Sequence, residues 1–254
     1  DFDPLVRGNL MHLILELFWK KTQTRKKLEK LYHSNRLKLE VEKCVEEATN
    51  RIFRSLPDQP EFLKMEKTRN QNLALEWLIN FDLARNNFTV LKLEKCTTTK
   101  INGLTLNLKI DRVDEISDKK FVLIDYKSGE AKPGDWLKER IIAPQLPLYS
   151  TLTSPSVVAF GKIKKGQIEF KGVKDSSIDF SGFKITNYTK ETKVSEWNDL
   201  LALWKNKIDL LANEFLLGRA VIEPTLNQET CKNCDLSSLC RIRECDFEND
   251  EEEL

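Results

Sequence analysis

The sequence FVLIDYK, residues 121–127, decides the fold because an unbroken apolar run ends in Asp125, Tyr126 and Lys127. A short continuous apolar run bounded by polar residues is typical of a central strand buried on both faces. The sequence LTLNLKID, residues 104–111, alternates apolar and polar positions and predicts a neighbouring strand with one buried face. Turn-forming residues at 117–120 lie between the two segments, which are therefore predicted to form a hairpin.

The ends of these two strands carry residues that suggest chemistry. Asp125 and Lys127 are two residues apart and point to the same side of a strand, and Asp111 ends the neighbouring strand. Two carboxylates beside a lysine are costly to bury unless a divalent cation balances their charge, and Mg²⁺ combines carboxylate ligands with phosphate oxygens. An isolated D-x-K sequence is more often an ordinary surface ion pair. The choice between the two interpretations depends on other parts of the chain.

The rest of the chain predicts helices around a mixed sheet, and hence the α/β fold class. The segments 157–163 and 167–173, joined around Lys165-Gly166, predict a second hairpin. Helical patterns occur at five places, of which the fourth contains two prolines and is expected to be interrupted: residues 5–19, 36–56, 60–87, 136–149 and 195–217.

Composition limits the classes of function. The 254 residues fit one large domain or a domain with a small appendage, and a net charge of +1 gives no general attraction to polyanions. We find no secretory leader and no apolar stretch long enough to span a bilayer, so we expect a soluble, cytoplasmic protein. The chain begins inside an amphipathic segment, and we expect it to be a fragment of a longer polypeptide.

Two further pairs of polar residues lie at helical spacing. His12 and Glu16 share one face of the first helix, and Gly8 leaves room on that face for close approach. Gln145 and Tyr149 are one helical turn apart, shortly after the central strand. Taken alone, His12 is more often a hydrogen-bonded core residue, and the second pair can equally cap or pack.

Together the motifs resemble those of RecB-like PD-(D/E)XK nucleases, which occur as domains of bacterial helicase–nucleases and DNA repair proteins. The resemblance covers about residues 5–245 and includes four motifs in order: GNLMH at 8–12, IDRVD at 110–114, IDYKSG at 124–129 and QLPLY at 145–149. It implies a restriction-endonuclease-like core. It also implies hydrolysis of DNA, more often from an end, with Mg²⁺ or Mn²⁺, in a bacterial protein joined to a helicase or helicase-like region or partner subunit.

The resemblance also implies a role for each matching residue. His12, Asp111 and Asp125 would be metal ligands, together with the backbone carbonyl of Tyr126, and Lys127 would be the catalytic lysine. Gln145 and Tyr149 would hold the DNA backbone and organise the site. We interpret Asp114 as structural, a partner of Arg112 or of a nearby backbone group. The alternative function is a catalytically silent DNA-binding or scaffold module of the same fold, but no acidic ligand or lysine of the motifs is lost.

The C-terminal part contains Cys231, Cys234 and Cys240 at the spacing C-x2-C-x5-C, with Cys245 nearby. Thiolates so arranged bind Zn²⁺ or an iron–sulfur cluster, although three free thiols are also possible. Resemblance to the AddB type implies a 4Fe–4S cluster whose fourth cysteine precedes the first helix and lies outside this fragment, unless Cys245 replaces it. We expect a nuclease core at 1–218, a Cys-rich segment packed on it at 219–245, and a disordered acidic tail at 246–254.

Candidate contacts with DNA are basic or aromatic. The basic stretch at residues 20–38 could neutralise phosphates, but such a run is more often a solvated helix face. Lys132, Lys138 and Arg140 follow the predicted site more closely. Trp136 is a candidate for stacking on a base of single-stranded DNA, with core packing as the alternative.

Overall fold

A computed structural model describes residues 3–54, 60–180, 183–219, 221–222, 231 and 234–240. The α-helices in this part of the chain are α1 (Pro4–Thr22), α2 (Arg25–His33), α3 (Leu37–Ile52), α4 (Pro60–Trp77), α5 (Gln145–Thr153), α6 (Tyr188–Thr192), α7 (Trp197–Leu216) and α8 (Ser237–Cys240). The strands are β1 (Thr89–Ile101), β2 (Leu104–Glu115), β3 (Phe121–Lys127), β4 (Val157–Lys164), β5 (Gln167–Lys174) and β6 (Lys184–Ile185). None of the described helices combines the length and apolarity needed to cross a membrane.

The six strands form one mixed sheet in the order β1-β2-β3-β4-β5-β6. The pairs β1/β2, β2/β3 and β4/β5 are antiparallel, whereas β3/β4 and β5/β6 are parallel. The parallel pair β3/β4 is connected through α5, which is the crossover that a parallel pair requires. The strand β3 therefore lies at the centre of the sheet, as its apolar run predicted.

Helices cover both faces of the sheet, and alternate residues of the central strand contribute to each core. Val122, Ile124 and Tyr126 of β3 pack with α1, α3 and α4 on one face. Leu123 packs with α5 and α7 on the other. This alternation follows from the two-residue repeat of a strand. It means that adjacent residues of β3 belong to opposite sides of the molecule.

The long hairpin of β1 and β2 turns at Asn102 and Gly103, whose φ angles of 49° and 92° are both positive. This conformation suits a two-residue hairpin turn, and Asn-Gly is the dipeptide that best adopts it. The turn sets the register in which Ile101 faces Leu104, and the pairing shifts only between Val90 and Lys92. A long strand, β1, is thus aligned residue by residue with the strand that carries Asp111.

Both predicted hairpins are present, with β2/β3 closing through a short 3-10 turn and β4/β5 through residues 165–166. The segment 136–149 was predicted as a helix interrupted by its two prolines, and the interruption is present, but the part before Pro144 is not an α-helix. A 3-10 turn at Pro133–Trp136 is followed by irregular chain, and α5 begins only at Gln145. The reason is that Pro147 has no N–H to donate and fits only in the first turn of a helix. The segment 60–87 was predicted as one helix. In the structure α4 ends at Trp77 and is followed by a π-helical turn, Leu78–Asp82.

Candidate active site

The two predicted carboxylates meet where β2 and β3 separate. Arg112 pairs with Ile124, and one further step in this register brings Asp111 opposite Asp125. The strands do not pair there through their backbones, because the Tyr126 N–H donates to Asp111 Oδ2 at 2.9 Å. The Asp111 carboxylate thus fills the gap between the strands. Both aspartates are buried, with exposed fractions of 7% and 1%.

Asp125 is held in an environment that disfavours its charge. Burial, followed by the nearby charge of Asp111, raises the pKa of Asp125 to about 6, although Lys127 opposes the change. The Lys127 ammonium lies 2.7 Å from Asp125 Oδ2 and remains partly exposed. The carboxylate pair and the lysine therefore lie together at one end of the sheet, as their spacing predicted.

Helix α1 brings His12 to the same place. The His12 Nε2 atom lies 2.8 Å from the carbonyl oxygen of Tyr126, while Nδ1 faces Asp111 Oδ2 at 3.4 Å. Gly8, one turn earlier, allows this approach, because a Cβ there would lie 3.1 Å from Ser128 Oγ. The Tyr126 carbonyl, which the resemblance implies as a metal ligand, here contacts the imidazole. A carbonyl partner of this kind fixes the orientation of a ligating histidine.

A third carboxylate, Glu94 of β1, completes a compact ligand set. Ligand atoms of His12, Glu94 and Asp111 all lie within 4.8 Å of one another, and they are the only such group of three among the described residues. Burial disfavours a charged imidazole, but the carboxylates of Asp111 and Glu94 outweigh it and raise the pKa of His12 to about 10. Burial likewise opposes the charge of Glu94, but His12 and Lys109 prevail and lower its pKa. The cluster has a strong affinity for positive charge.

Glu94 was missed in the sequence because β1 was not identified as a strand. The signal was present in the dipeptide Asn102-Gly103, which predicts a hairpin turn. In the observed register, Leu93 pairs with Arg112 and Lys95 with Ile110, so that Glu94 lies opposite Asp111. Counting back from the turn would have identified the third carboxylate.

Gln145 and Tyr149 of α5 hold the site from the opposite side. The Gln145 amide donates to the Tyr149 hydroxyl at 3.2 Å, and its Oε1 lies 3.5 Å from the Lys127 ammonium. The same hydroxyl accepts from the N–H of Lys109 at 3.2 Å and donates to the Lys109 carbonyl. The pair therefore ties α5 to the strand that carries Asp111 and to the lysine, in agreement with an organising role.

Behind the site lies a buried network of charged residues. Arg112 donates to both carboxylate oxygens of Asp114, at 2.6 and 2.8 Å, and to the Tyr126 hydroxyl at 2.9 Å. Asp82, from the π-helical turn, lies 3.1 Å from Arg112, and Arg85 contacts Asp114 at 2.8 Å. The predicted pairing of Asp114 with Arg112 is thus present, within a larger set that joins the helices to the central strands.

The candidate DNA contacts are only partly accessible. Trp136 is fully buried against Phe160 and Trp204, so the prediction that it stacks on a base was wrong. Core packing is the reason, since the indole packs against these two aromatic rings. Lys132, Lys138 and Arg140 are exposed. Lys138 contacts Asp135 at 3.0 Å and Arg140 contacts Glu214 at 3.1 Å, which partly neutralises both. Glu16, which lies one helical turn after His12, pairs with Lys20.

The cysteines of the C-terminal motif are only partly described. Cys231 and Cys240 are half-buried and Cys234 is exposed, and all three are free thiols. The N–H of Cys234 donates to the carbonyl of Cys231 at 3.2 Å. Cys245 and the acidic tail at 246–254 lie outside the described residues. Within the part that is described, the three thiols do not form a group with the spacing of metal ligands.

Comparison with known proteins agrees with this geometry. The model of the PD-(D/E)XK nuclease superfamily matches residues 1–241, and the chain belongs to that superfamily. Its mixed sheet flanked by helices is consistent with the restriction-endonuclease-like fold. A solved protein, SSO0001, is 14% identical, with 91% of this chain and 84% of that chain covered at a TM-score of 0.32, a likeness too weak to support a conclusion. No curated protein matches the chain.

Proposed function

We propose that this protein is a metal-dependent deoxyribonuclease that hydrolyses phosphodiester bonds with Mg²⁺ or Mn²⁺. The observation that carries the proposal is the convergence of His12, Glu94 and Asp111 within 4.8 Å, beside Asp125 and Lys127. Their carboxylate oxygens suit a hard divalent cation such as Mg²⁺ or Mn²⁺. When bound, such a cation lowers the pKa of a coordinated water and balances the negative charge of the phosphate.

The residues of the chain have separate tasks in this proposal. Asp111 and Asp125 would supply ligand oxygens from two adjacent strands, and Glu94 would add a third. His12 presents Nδ1 to the carboxylates, while the Tyr126 carbonyl holds Nε2 and thereby fixes the ring. A bound cation would replace the proton that the carboxylates now favour on His12, so metal binding and proton release are coupled.

Lys127 is suited to act on the reacting phosphate. Its ammonium is held between Asp125 Oδ2 and Gln145 Oε1 and is partly exposed, so that a substrate can reach it. An ammonium in this position can orient the attacking water or stabilise charge that develops on the phosphate oxygens. Asp125 and Gln145 would act on Lys127 as positioning residues.

The direct test is digestion of end-labelled DNA with Mg²⁺ or Mn²⁺ and with EDTA. We expect the wild type to be active only with metal. Asp125→Asn and Lys127→Ala should each lower the rate by about a hundred- to a thousandfold, because each removes a group that acts on the reacting phosphate or its metal. Lys165→Ala, in the exposed β4–β5 turn, is the matched control and should retain full activity. Equal digestion by all four proteins would contradict the proposal, as would full activity in EDTA.

The finer assignments rest on the four motifs that resemble RecB-like enzymes. On that basis we propose digestion from DNA ends, a role in repair or recombination, a bacterial cytoplasmic location, and a helicase or helicase-like region in the same chain or a partner. Lys132, Lys138 and Arg140 are proposed to contact the DNA backbone. The same oligonucleotide assay, with linear and circular substrates, separates digestion from an end from internal cutting.

For the C-terminal segment, residues 219–245, we propose that Cys231, Cys234 and Cys240 bind a 4Fe–4S cluster, with Zn²⁺ as the alternative. The support is the C-x2-C-x5-C spacing, and Cys245 is the local candidate for a fourth ligand. Iron, sulfide and zinc content of protein purified without oxygen distinguishes the two. Absence of both metals from such protein would contradict the proposal.

A further inference from the structure

An apolar recess opens directly beside the proposed catalytic lysine. It has a volume of about 360 Å³, within the range of sites for small organic groups. Its walls include Leu108, Ala143, Pro144 and Phe160, and Lys127 and Gln145 also line it. One cavity thus joins an apolar interior to the ammonium of the active site.

The lining of the recess favours an apolar or weakly polar group over a phosphate. Among the described residues that line it, Lys127 is the only charged one, and most of the rest are hydrocarbon or aromatic. The Lys127 ammonium lies 5.9 Å from the centroid of the Phe160 ring, so the same side chain reaches from the recess to Asp125. A substrate phosphate at Lys127 would therefore have an apolar cavity beside it.

We propose that this recess binds the nucleobase of the nucleotide that adjoins the scissile phosphate. The inference rests on the proposed nuclease function and adds a base subsite to it. A base is joined to its phosphate through a single sugar, so that a phosphate held at Lys127 carries its base to the adjacent cavity. Every base has an apolar face, and contact with side chains such as Phe160 depends little on sequence. A base inside a duplex would first have to leave its stack, so the nucleotide at the cut is unpaired.

The substrate itself provides the first test. We compare digestion of an end-labelled single-stranded oligonucleotide with that of the same strand carrying one abasic tetrahydrofuran site. Loss of base contact should slow cleavage by about ten- to a hundredfold at one fixed position relative to the abasic site, and give a discrete pause product. Uniform digestion through the abasic site would overturn the base subsite. No digestion of the unmodified strand would instead overturn the nuclease function, and the subsite with it.

The protein provides the second test. Ala143→Phe fills the recess and should slow cleavage of the normal strand while removing the pause at the abasic site, since both changes act on one contact. Ala202→Phe makes the same substitution at an exposed position of α7 and should keep both the rate and the pause. Circular dichroism melting of each variant reports folding, and the abasic comparison in the wild type decides the matter if Ala143→Phe does not fold. Retention of the normal rate and of the pause in a folded Ala143→Phe protein would contradict the proposal.

Discussion

Two groups of charged residues lie close together in this protein, and they solve the problem of buried charge differently. In the network behind the sheet, Arg85 and Arg112 face Asp82 and Asp114, so that two positive charges meet two negative ones. All four side chains are almost completely buried. The charges of this set balance one another, so the set does not require a bound ion.

In the group where β2 and β3 separate, the charges do not balance in the same way. Three carboxylates, Glu94, Asp111 and Asp125, converge there against two lysines, Lys109 and Lys127. Burial disfavours a charged His12, but Asp111 and Glu94 raise its pKa to about 10, which favours a proton that offsets the remaining negative charge. Strand alternation separates the two groups, because adjacent residues of one strand serve opposite faces. The comparison teaches that charge surplus, more than burial, distinguishes the site from the scaffold.

Removing one member of the balanced network should have the largest effect. We expect Arg112→Met to lower the free energy of unfolding by about 3–5 kcal/mol, because two buried aspartates and the Tyr126 hydroxyl lose their common partner. Urea denaturation followed by circular dichroism measures the loss. The control is Arg51→Met, which removes an exposed pair with Glu47 and should change stability by less than about 1 kcal/mol. Similar losses in both variants would mean that the buried network contributes no more to stability than an exposed ion pair.

Removing one member of the surplus group should affect metal binding more than folding. We expect Glu94→Gln to weaken Mn²⁺ binding by about ten- to a hundredfold, since it removes a ligand candidate opposite Asp111. Isothermal titration calorimetry gives the affinity, and the urea midpoint in EDTA gives the stability. Glu42→Gln, at an exposed position of α3, serves as the matched control. Unchanged Mn²⁺ affinity in Glu94→Gln would exclude this carboxylate from the ligand set.

The smallest effect concerns the proton on His12. Its pKa rises from 6.5 to about 10 on folding, so the stability contributed by its charged form is fully present below pH 6.5 and is lost as the pH rises through about 10. In EDTA, the wild type should therefore exceed His12→Gln by about 1–2 kcal/mol at low pH, and the difference should shrink toward pH 10. Denaturation across this range, with His33→Gln as the control, measures it. A difference that grows with pH would contradict the assigned charge.

Much of the fold was predictable because its signals are local. The apolar run of β3, the alternation of β2 and the turn at Lys165-Gly166 each specify an element within a few residues. The two prolines predicted an interruption of the helical pattern at 136–149, but the apolar pattern before them did not indicate that the chain from 137 to 144 has no α-helix. The π-helical turn that delivers Asp82 depends on tertiary contacts and left no local signal.

Site residues were predictable where a motif lies on a strand that the sequence identifies. They were not predictable where their position depends on how two strands are paired. Asp125 and Lys127 lie at the end of β3, which the sequence marks clearly, and the structure brings them together with Asp111. The prediction that Asp111 ends its strand was wrong, because β2 continues to Glu115. Glu94 required the alignment of a long hairpin whose strand β1 has no clear alternation. Trp136 illustrates the opposite error, because a large aromatic residue near a site is as useful to the core as to a ligand, and only packing decides.

The position of His12 has a consequence for how the protein matures. Its imidazole contacts a carbonyl 114 residues further along the chain, so one candidate ligand comes from the first helix and the others from strands that are synthesised later. A newly synthesised chain can assemble the hairpin and still lack this group until α1 has docked. The candidate site is therefore complete only when α1 is docked on the sheet, and activity would report whether the amino-terminal helix is in its native place.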